Sequence, residues 1–157
     1  MELYLLRHAN ADTQAASDDA RPLSEAGIRQ AKKVGRFCKK HGIEPNLLLT
    51  SPLVRARETA EHFAEALSGI EPKVVEFLAS GMTPQTALTA LQAYQNYERV
   101  LIVGHEPDFS ALFAHLLGLK SNAHVPLKKA SLTGLEVPVL RAGTAQLRFS
   151  ITCALMS

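Results

Sequence analysis

The sequence predicts an α/β domain built on a mostly parallel sheet, and three observations carry that prediction. Short apolar runs at residues 2–6, 47–50 and 99–103 alternate with segments whose apolar residues recur at helical spacing. The first and last of these runs end on Arg7-His8 and Gly104-His105, the polar ends of strands that are otherwise buried. Near the C-terminus, stretches 131–137 and 144–152 flank a turn containing Pro and Gly, which reads as a β-hairpin closing the sheet.

The elements follow in order along the chain. Residues 2–6 form a buried strand, and the Ala-, Asp- and Ser-rich segment 10–21 forms a loop over the sheet edge. Ser24 is a helix N-cap, and Ile28, Ala31, Val34, Gly35 and Cys38 mark the inner face of a helix over 24–41 that Gly42 ends. Residues 47–50 form a second strand. Ser51-Pro52 then reads as an N-cap followed by proline at the first helical position, opening a helix to about residue 67. A third strand is expected over 73–77, a helix from Thr83-Pro84 to about 96, and a fourth strand over 99–103. Pro107 starts a last helix, which Gly118 stops.

Composition sets the outer limits. A chain of 157 residues, 46% hydrophobic and 20% charged, suits one domain spanning 1–157 with a real core. Seventeen basic against fifteen acidic residues leave a net charge of +2, which argues against nucleic acid as a partner. Lys32, Lys33, Arg36, Lys39 and Lys40 read as the solvated face of a helix. Cys38 and Cys153 lack metal or redox spacing and read as buried free thiols. With no signal-like start and no apolar run near the roughly 18 residues of a membrane span, a cytoplasmic protein without membrane association is expected.

Ligands of open α/β sheets bind beyond the carboxyl ends of the strands. Arg7-His8, the Ser51–Arg55 segment and Gly104-His105 all fall there. Arg55 lies in the first turn of its helix, where a cation opposes the helix dipole unless an anion is close by. Beside another arginine and two histidines, this reads as a phosphate pocket. The alternative is an ion pair between Arg55 and Glu58 or a surface acid. His8 and His105 could ligate a metal, but arginine neighbours repel a cation and attract phosphate, so no metal and no cofactor are expected. An imidazole can serve as a covalent nucleophile once one nitrogen is neutral and the other is held by a hydrogen bond. Fixed arginines and a second histidine then stabilise the transferring phosphoryl group.

Leu5-Leu6-Arg7-His8-Ala9, Ser51-Pro52-Leu53-Val54-Arg55-Ala56 and Val103-Gly104-His105 together resemble the histidine phosphatase superfamily, also called phosphoglycerate mutase-like. Arg21-Pro22-Leu23-Ser24-Glu25-Ala26-Gly27, the short length and Lys128-Lys129-Ala130-Ser131 resemble its SixA branch of phosphohistidine phosphatases. The resemblance implies a three-layer sandwich, with His8 as nucleophile, Arg7 and Arg55 as phosphate clamps, His105 as a second phosphate-binding histidine, and Arg21 in the branch's loop motif. Ala9 stands where the superfamily usually has glycine, which would be strained if the backbone there needs φ > 0. Larger relatives carry an acidic proton donor in an insertion that this chain lacks. Glu76, Asp18 and Asp19 are the possible donors, and a phosphohistidine substrate would ease the need for one. The expected substrate is phosphohistidine on a partner protein, a histidine-phosphotransfer domain or a phosphocarrier, reached in a shallow, open pocket. The other readings are a small-molecule phosphomonoesterase or mutase of the same superfamily, and a non-catalytic phosphate-binding module.

Overall fold

Strands β1 (Glu2–Arg7), β2 (Leu47–Thr50), β3 (Pro72–Val74), β4 (Arg99–Gly104), β5 (Leu132–Glu136) and β6 (Gln146–Ile151) form one six-stranded sheet, in the order β3-β2-β4-β1-β5-β6. The computed structural model describes all 157 residues, Met1–Ser157. The first four strands are mutually parallel, while β5 runs antiparallel to β1 and β6 antiparallel to β5. Between them lie helices α1 (Glu25–Lys40), α2 (Val54–Ala64), α3 (Pro84–Leu91) and α4 (Asp108–Leu117). The fold class is the expected one.

Strand periodicity sorts the core into two layers. Tyr4, Leu6, Leu48, Leu101 and Val103 pack against α1 and α2, with Phe63 at the centre. Leu3, Leu5, Leu49, Val100 and Ile102 point the other way, against α3 and α4, with Phe109. Each such fully buried side chain contributes about 1.5–3 kcal/mol by leaving water. Both thiols are buried and free, and burial pushes Cys38 up to about 12, so it stays a thiol. No helix is long and apolar enough to cross a membrane.

Several caps follow the sequence reading. The Ser24 side chain accepts from Gly27 N, the Thr83 side chain from Thr86 N, and Gly42 and Gly118 take positive φ just past α1 and α4. Four boundaries differ. Helix α2 begins at Val54 with Leu53 at its N-cap, and the Ser51 hydroxyl accepts from Leu53 N–H in the turn ahead of the helix while also meeting His105. The free Val54 N–H donates instead to the Asp19 carbonyl, so the loop itself caps this helix. The strand expected over 73–77 ends at Val74. Its partner β2 stops at Thr50, whose carbonyl takes the Val75 N–H, and Glu76–Leu78 curls into a 3-10 turn that buries Leu78. Helices α2 and α3 also end earlier than expected, α3 passing into a 3-10 turn over Gln92–Tyr94.

Two glycines of α1 allow close approach. A Cβ on Gly27 would lie 1.9 Å from the Asn10 carbonyl oxygen, and one on Gly35 would lie 2.3 Å from the Phe63 carbonyl oxygen of α2. Gly27 thus lets the chain leaving β1 lie directly on the helix. Gly27→Ala gains about 1 kcal/mol of helix propensity, but the clash is with backbone, and overpacking costs about 1–3 kcal/mol. Net destabilisation in urea unfolding is the expected result. A stabilised variant would mean that Asn10 does not press on the helix.

Candidate active site

The pocket is assembled by strand register. Arg7 lies opposite Gly104 in the parallel β1–β4 pair, so His8 and His105 leave neighbouring strands at the same level. Backbone bonds hold the level: His8 N–H donates to Gly104 O at 3.0 Å, and Ser51 N–H to Val103 O at 3.0 Å. The two imidazole centroids are 5.4 Å apart. His8 is 7% exposed, His105 3% and Arg55 6%. These side chains are therefore almost wholly shielded from solvent.

His8 Nδ1 lies 2.8 Å from its neighbour's carbonyl, Ala9 O. A carbonyl only accepts, so Nδ1 carries the proton and Nε2 keeps the lone pair. Ala9 has no positive φ, so alanine in place of glycine carries no strain there. Its own N–H donates to Thr59 Oγ1, which donates to Arg55 O one turn earlier in α2. Thr59 thus ties the backbone next to His8 to the helix bearing Arg55. Its four-residue spacing from Arg55 was the available signal, and sequence reasoning missed it.

The arginines are held from different sides. Arg7 donates through a terminal nitrogen to Leu127 O at 2.8 Å. Glu106, beside His105, fixes that segment by accepting from Leu127 N and Ser110 N. Arg55 does not pair with Glu58, which accepts from Leu23 N. It donates instead to Asp18 O at 2.8 Å and to the Asp18 carboxylate at 3.2 Å. Arg21 holds the other Asp18 oxygen at 3.0 Å and Asp12 O at 2.7 Å, so it reaches the pocket through Asp18. Arg7 Nε, Arg55 Nε and His105 Nδ1 are buried donor-capable atoms without a protein partner. Three such atoms, two of them cationic, suit an anion.

Of the possible acids, Glu76 is exposed at the start of its 3-10 turn, beyond β3, without a hydrogen bond to either histidine. Asp19 is exposed and contributes its carbonyl. The Asp18 carboxyl is held below its ordinary range, first by the Arg21 hydrogen bond and then by Arg55, so it holds no proton to give. One feature without a sequence signal is Ala130 at φ 55°, whose N–H faces the carbonyls of Arg7 and His8. This strained turn after Lys128-Lys129 packs directly against the Arg7-His8 backbone.

The sheet order, the strand-end cluster of two histidines and two arginines, and the unpartnered donors suit an α/β enzyme that handles phosphate. The model of the histidine phosphatase superfamily (branch 1) matches residues 3–79. The chain is 30% identical over 122 residues to the phosphohistidine phosphatase SixA of Escherichia coli K12, covering 74% of each chain. It is 35% identical over 156 residues to an uncharacterized protein of Picosynechococcus, covering 94% of this chain and 89% of that one. A solved protein histidine phosphatase SixA complexed with tungstate shares the fold end to end, with TM-score 0.89, 23% identity and full coverage of both chains. The chain belongs to the histidine phosphatase superfamily, with SixA-type relatives, and phosphatase chemistry is the activity that membership supports.

Burial, above all, pulls the His8 imidazole down to about 3 and His105 to about 4. For His8 the bond to Ala9 O opposes this, and the neighbouring His105, Arg55 and Arg7 add to it. For His105 the Arg55 charge adds and Asp18 opposes. Both rings are therefore neutral at working pH. In the unfolded chain they take up protons near pH 6.5. Between about pH 6.5 and 4 the unfolded state holds more protons, so stability rises with pH and falls on acidification. The melting temperature is expected to drop from pH 7 to pH 5, with a flatter slope in His8→Asn/His105→Asn. Equal slopes in both proteins would contradict buried neutral imidazoles.

Proposed function

We propose that this protein removes phosphate from phosphohistidine on a partner protein, through a covalent intermediate on His8. The observation that carries the reading is the His8 ring, neutral and oriented by Ala9 O so that Nε2 keeps its lone pair, close to the Arg7 and Arg55 charges whose Nε atoms have no protein partner. Nε2 attacks phosphorus as the phosphorus–nitrogen bond of the substrate breaks, and the substrate ring, already protonated by solvent on its other nitrogen, leaves as neutral imidazole. Water then attacks the phosphorus on His8, inorganic phosphate departs, and His8 is restored. Arg7, Arg55 and His105 stabilise the charge spread over the equatorial oxygens.

The substrate class follows from proton supply. No carboxyl group of the site is hydrogen-bonded to either histidine, and Asp18 is held ionised by two arginines. An alkoxide needs a strong acid to leave, whereas phosphorylated imidazole leaves as a good leaving group. The chemistry that Escherichia coli SixA is named for fits that limit. The proposed partners are histidine-phosphotransfer or phosphocarrier proteins, and the proposed site works in the cytoplasm without metal.

The test compares catalytic efficiency on a phosphohistidine protein with that on phosphoserine and sugar phosphates, all with chelator present. Efficiency on the phosphohistidine protein should exceed the others at least about tenfold, on the order of 1.4 kcal/mol of transition-state discrimination. Equal efficiency on a phosphomonoester would favour a small-molecule phosphatase or mutase. Loss of all activity in chelator would replace the mechanism with a metal-assisted one.

Arg55→Lys keeps the charge and loses the planar fork that holds both Asp18 and, in this reading, a phosphoryl oxygen. Its rate on the same substrate should fall roughly 100-fold to 1000-fold. Near-normal kinetics would reduce Arg55 to an anchor for the loop.

A further inference from the structure

His8 and His105 lie side by side, with ring centroids 5.4 Å apart, yet their ring nitrogens are held by different kinds of partner. Ala9 O can only accept, which protonates His8 Nδ1. His105 Nε2 lies 2.7 Å from Ser51 Oγ, a hydroxyl that can either donate or accept. Ser51 is fully buried in the turn between β2 and α2, and its only other bond is one it accepts, from Leu53 N–H at 3.2 Å.

Only one proton arrangement uses these groups well. If His105 Nε2 carried the proton and donated to Ser51 Oγ, the hydroxyl proton would have no acceptor, and Nδ1 would be an acceptor with no donor. Two buried polar groups would then be unsatisfied, each at a cost. If the hydroxyl donates to Nε2, Nδ1 carries the ring proton, and one buried N–H is left without a protein partner. That remaining group is a donor close to the Arg7 and Arg55 charges, where a phosphoryl oxygen drawn by them can satisfy it.

We propose that Ser51 is a positioning residue that locks His105 in the Nδ1–H tautomer, so that this ring presents a proton to the phosphoryl group while His8 presents a lone pair. One residue type thereby fills two opposite roles, through an acceptor-only carbonyl on one ring and a hydroxyl committed to donating on the other. The catalytic half of this proposal rests on the phosphatase reading above. The tautomer itself does not.

The test is long-range proton–nitrogen NMR on protein carrying 15N-histidine at neutral pH, with His105 assigned by comparison with His105→Gln. Wild type should show a protonated, pyrrole-type Nδ1 and an unprotonated Nε2 on His105. Ser51→Ala should lose that bias and lower turnover of a phosphohistidine protein by roughly ten- to a hundredfold, the usual cost of removing a group that orients a functional histidine. Ser51→Thr, which keeps the hydroxyl, should retain the wild-type tautomer even if its extra methyl lowers the melting temperature. A protonated Nε2 on wild-type His105 overturns the proposal, as does a Ser51→Ala protein that keeps either the tautomer or the full rate. Absence of turnover in wild type would defeat the phosphatase reading alone, leaving the NMR readout to decide the tautomer.

Discussion

The parallel register of β1 with β4 is the constraint on which the rest of the site depends. Opposing Arg7 to Gly104 brings two histidines from residues nearly a hundred positions apart to the same level, 5.4 Å between ring centroids. A slip of one residue would turn every side chain of β1 to the other face, exchanging Leu3 and Leu5 for Tyr4 and Leu6 in the two core layers. Because each layer is packed by its own pair of helices, that slip is excluded energetically. The active-site spacing is therefore a by-product of core packing, and needs no contact between the histidines to maintain it.

Burial then decides the chemistry of what the register brings together. An exposed imidazole is half protonated near pH 6.5, whereas these two are driven to about 3 and 4. A neutral ring is what nucleophilic attack requires, and the nearby guanidinium groups enforce neutrality while attracting the anion. The same positive charge needs balance in the resting protein, and Asp18 supplies it by spanning Arg55 and Arg21 from the loop. Loop and pocket are thus joined electrostatically, and Val54 N–H to Asp19 O ties the same loop to the start of α2.

Much of this was legible in the sequence, for physical reasons. Strands at 2–6, 47–50 and 99–103 stand out because a strand covered on both faces must be apolar throughout. Ser24 and Thr83 cap as read, because each hydroxyl can accept its capping N–H while bonding a second neighbour, Asn10 for Ser24 and the Thr86 hydroxyl for Thr83. His8, Arg7, Arg55 and His105 were found because polar residues directly after buried strands fall at the ligand edge. Ser51 accepts from Leu53 N–H as a cap residue would, but the helix starts two residues later than read, and its hydroxyl also meets His105, fifty-four residues on, which no local pattern shows. The strand at 73–77 was overextended because alternation cannot reveal that its partner is only four residues long. Arg55's partner, Asp18, and the strained Ala130 depend on how a loop and a turn fold back, which no local pattern encodes.

The account stands on which nitrogen of His8 meets phosphorus. Phosphorus NMR of the phosphoenzyme, trapped from a phosphohistidine substrate and kept at alkaline pH, distinguishes the two ring positions. With Nδ1 committed to Ala9 O, a single Nε2-phosphohistidine signal is predicted, absent from His8→Ala. A signal from Nδ1-phosphohistidine, or one that persists in His8→Ala, would contradict it.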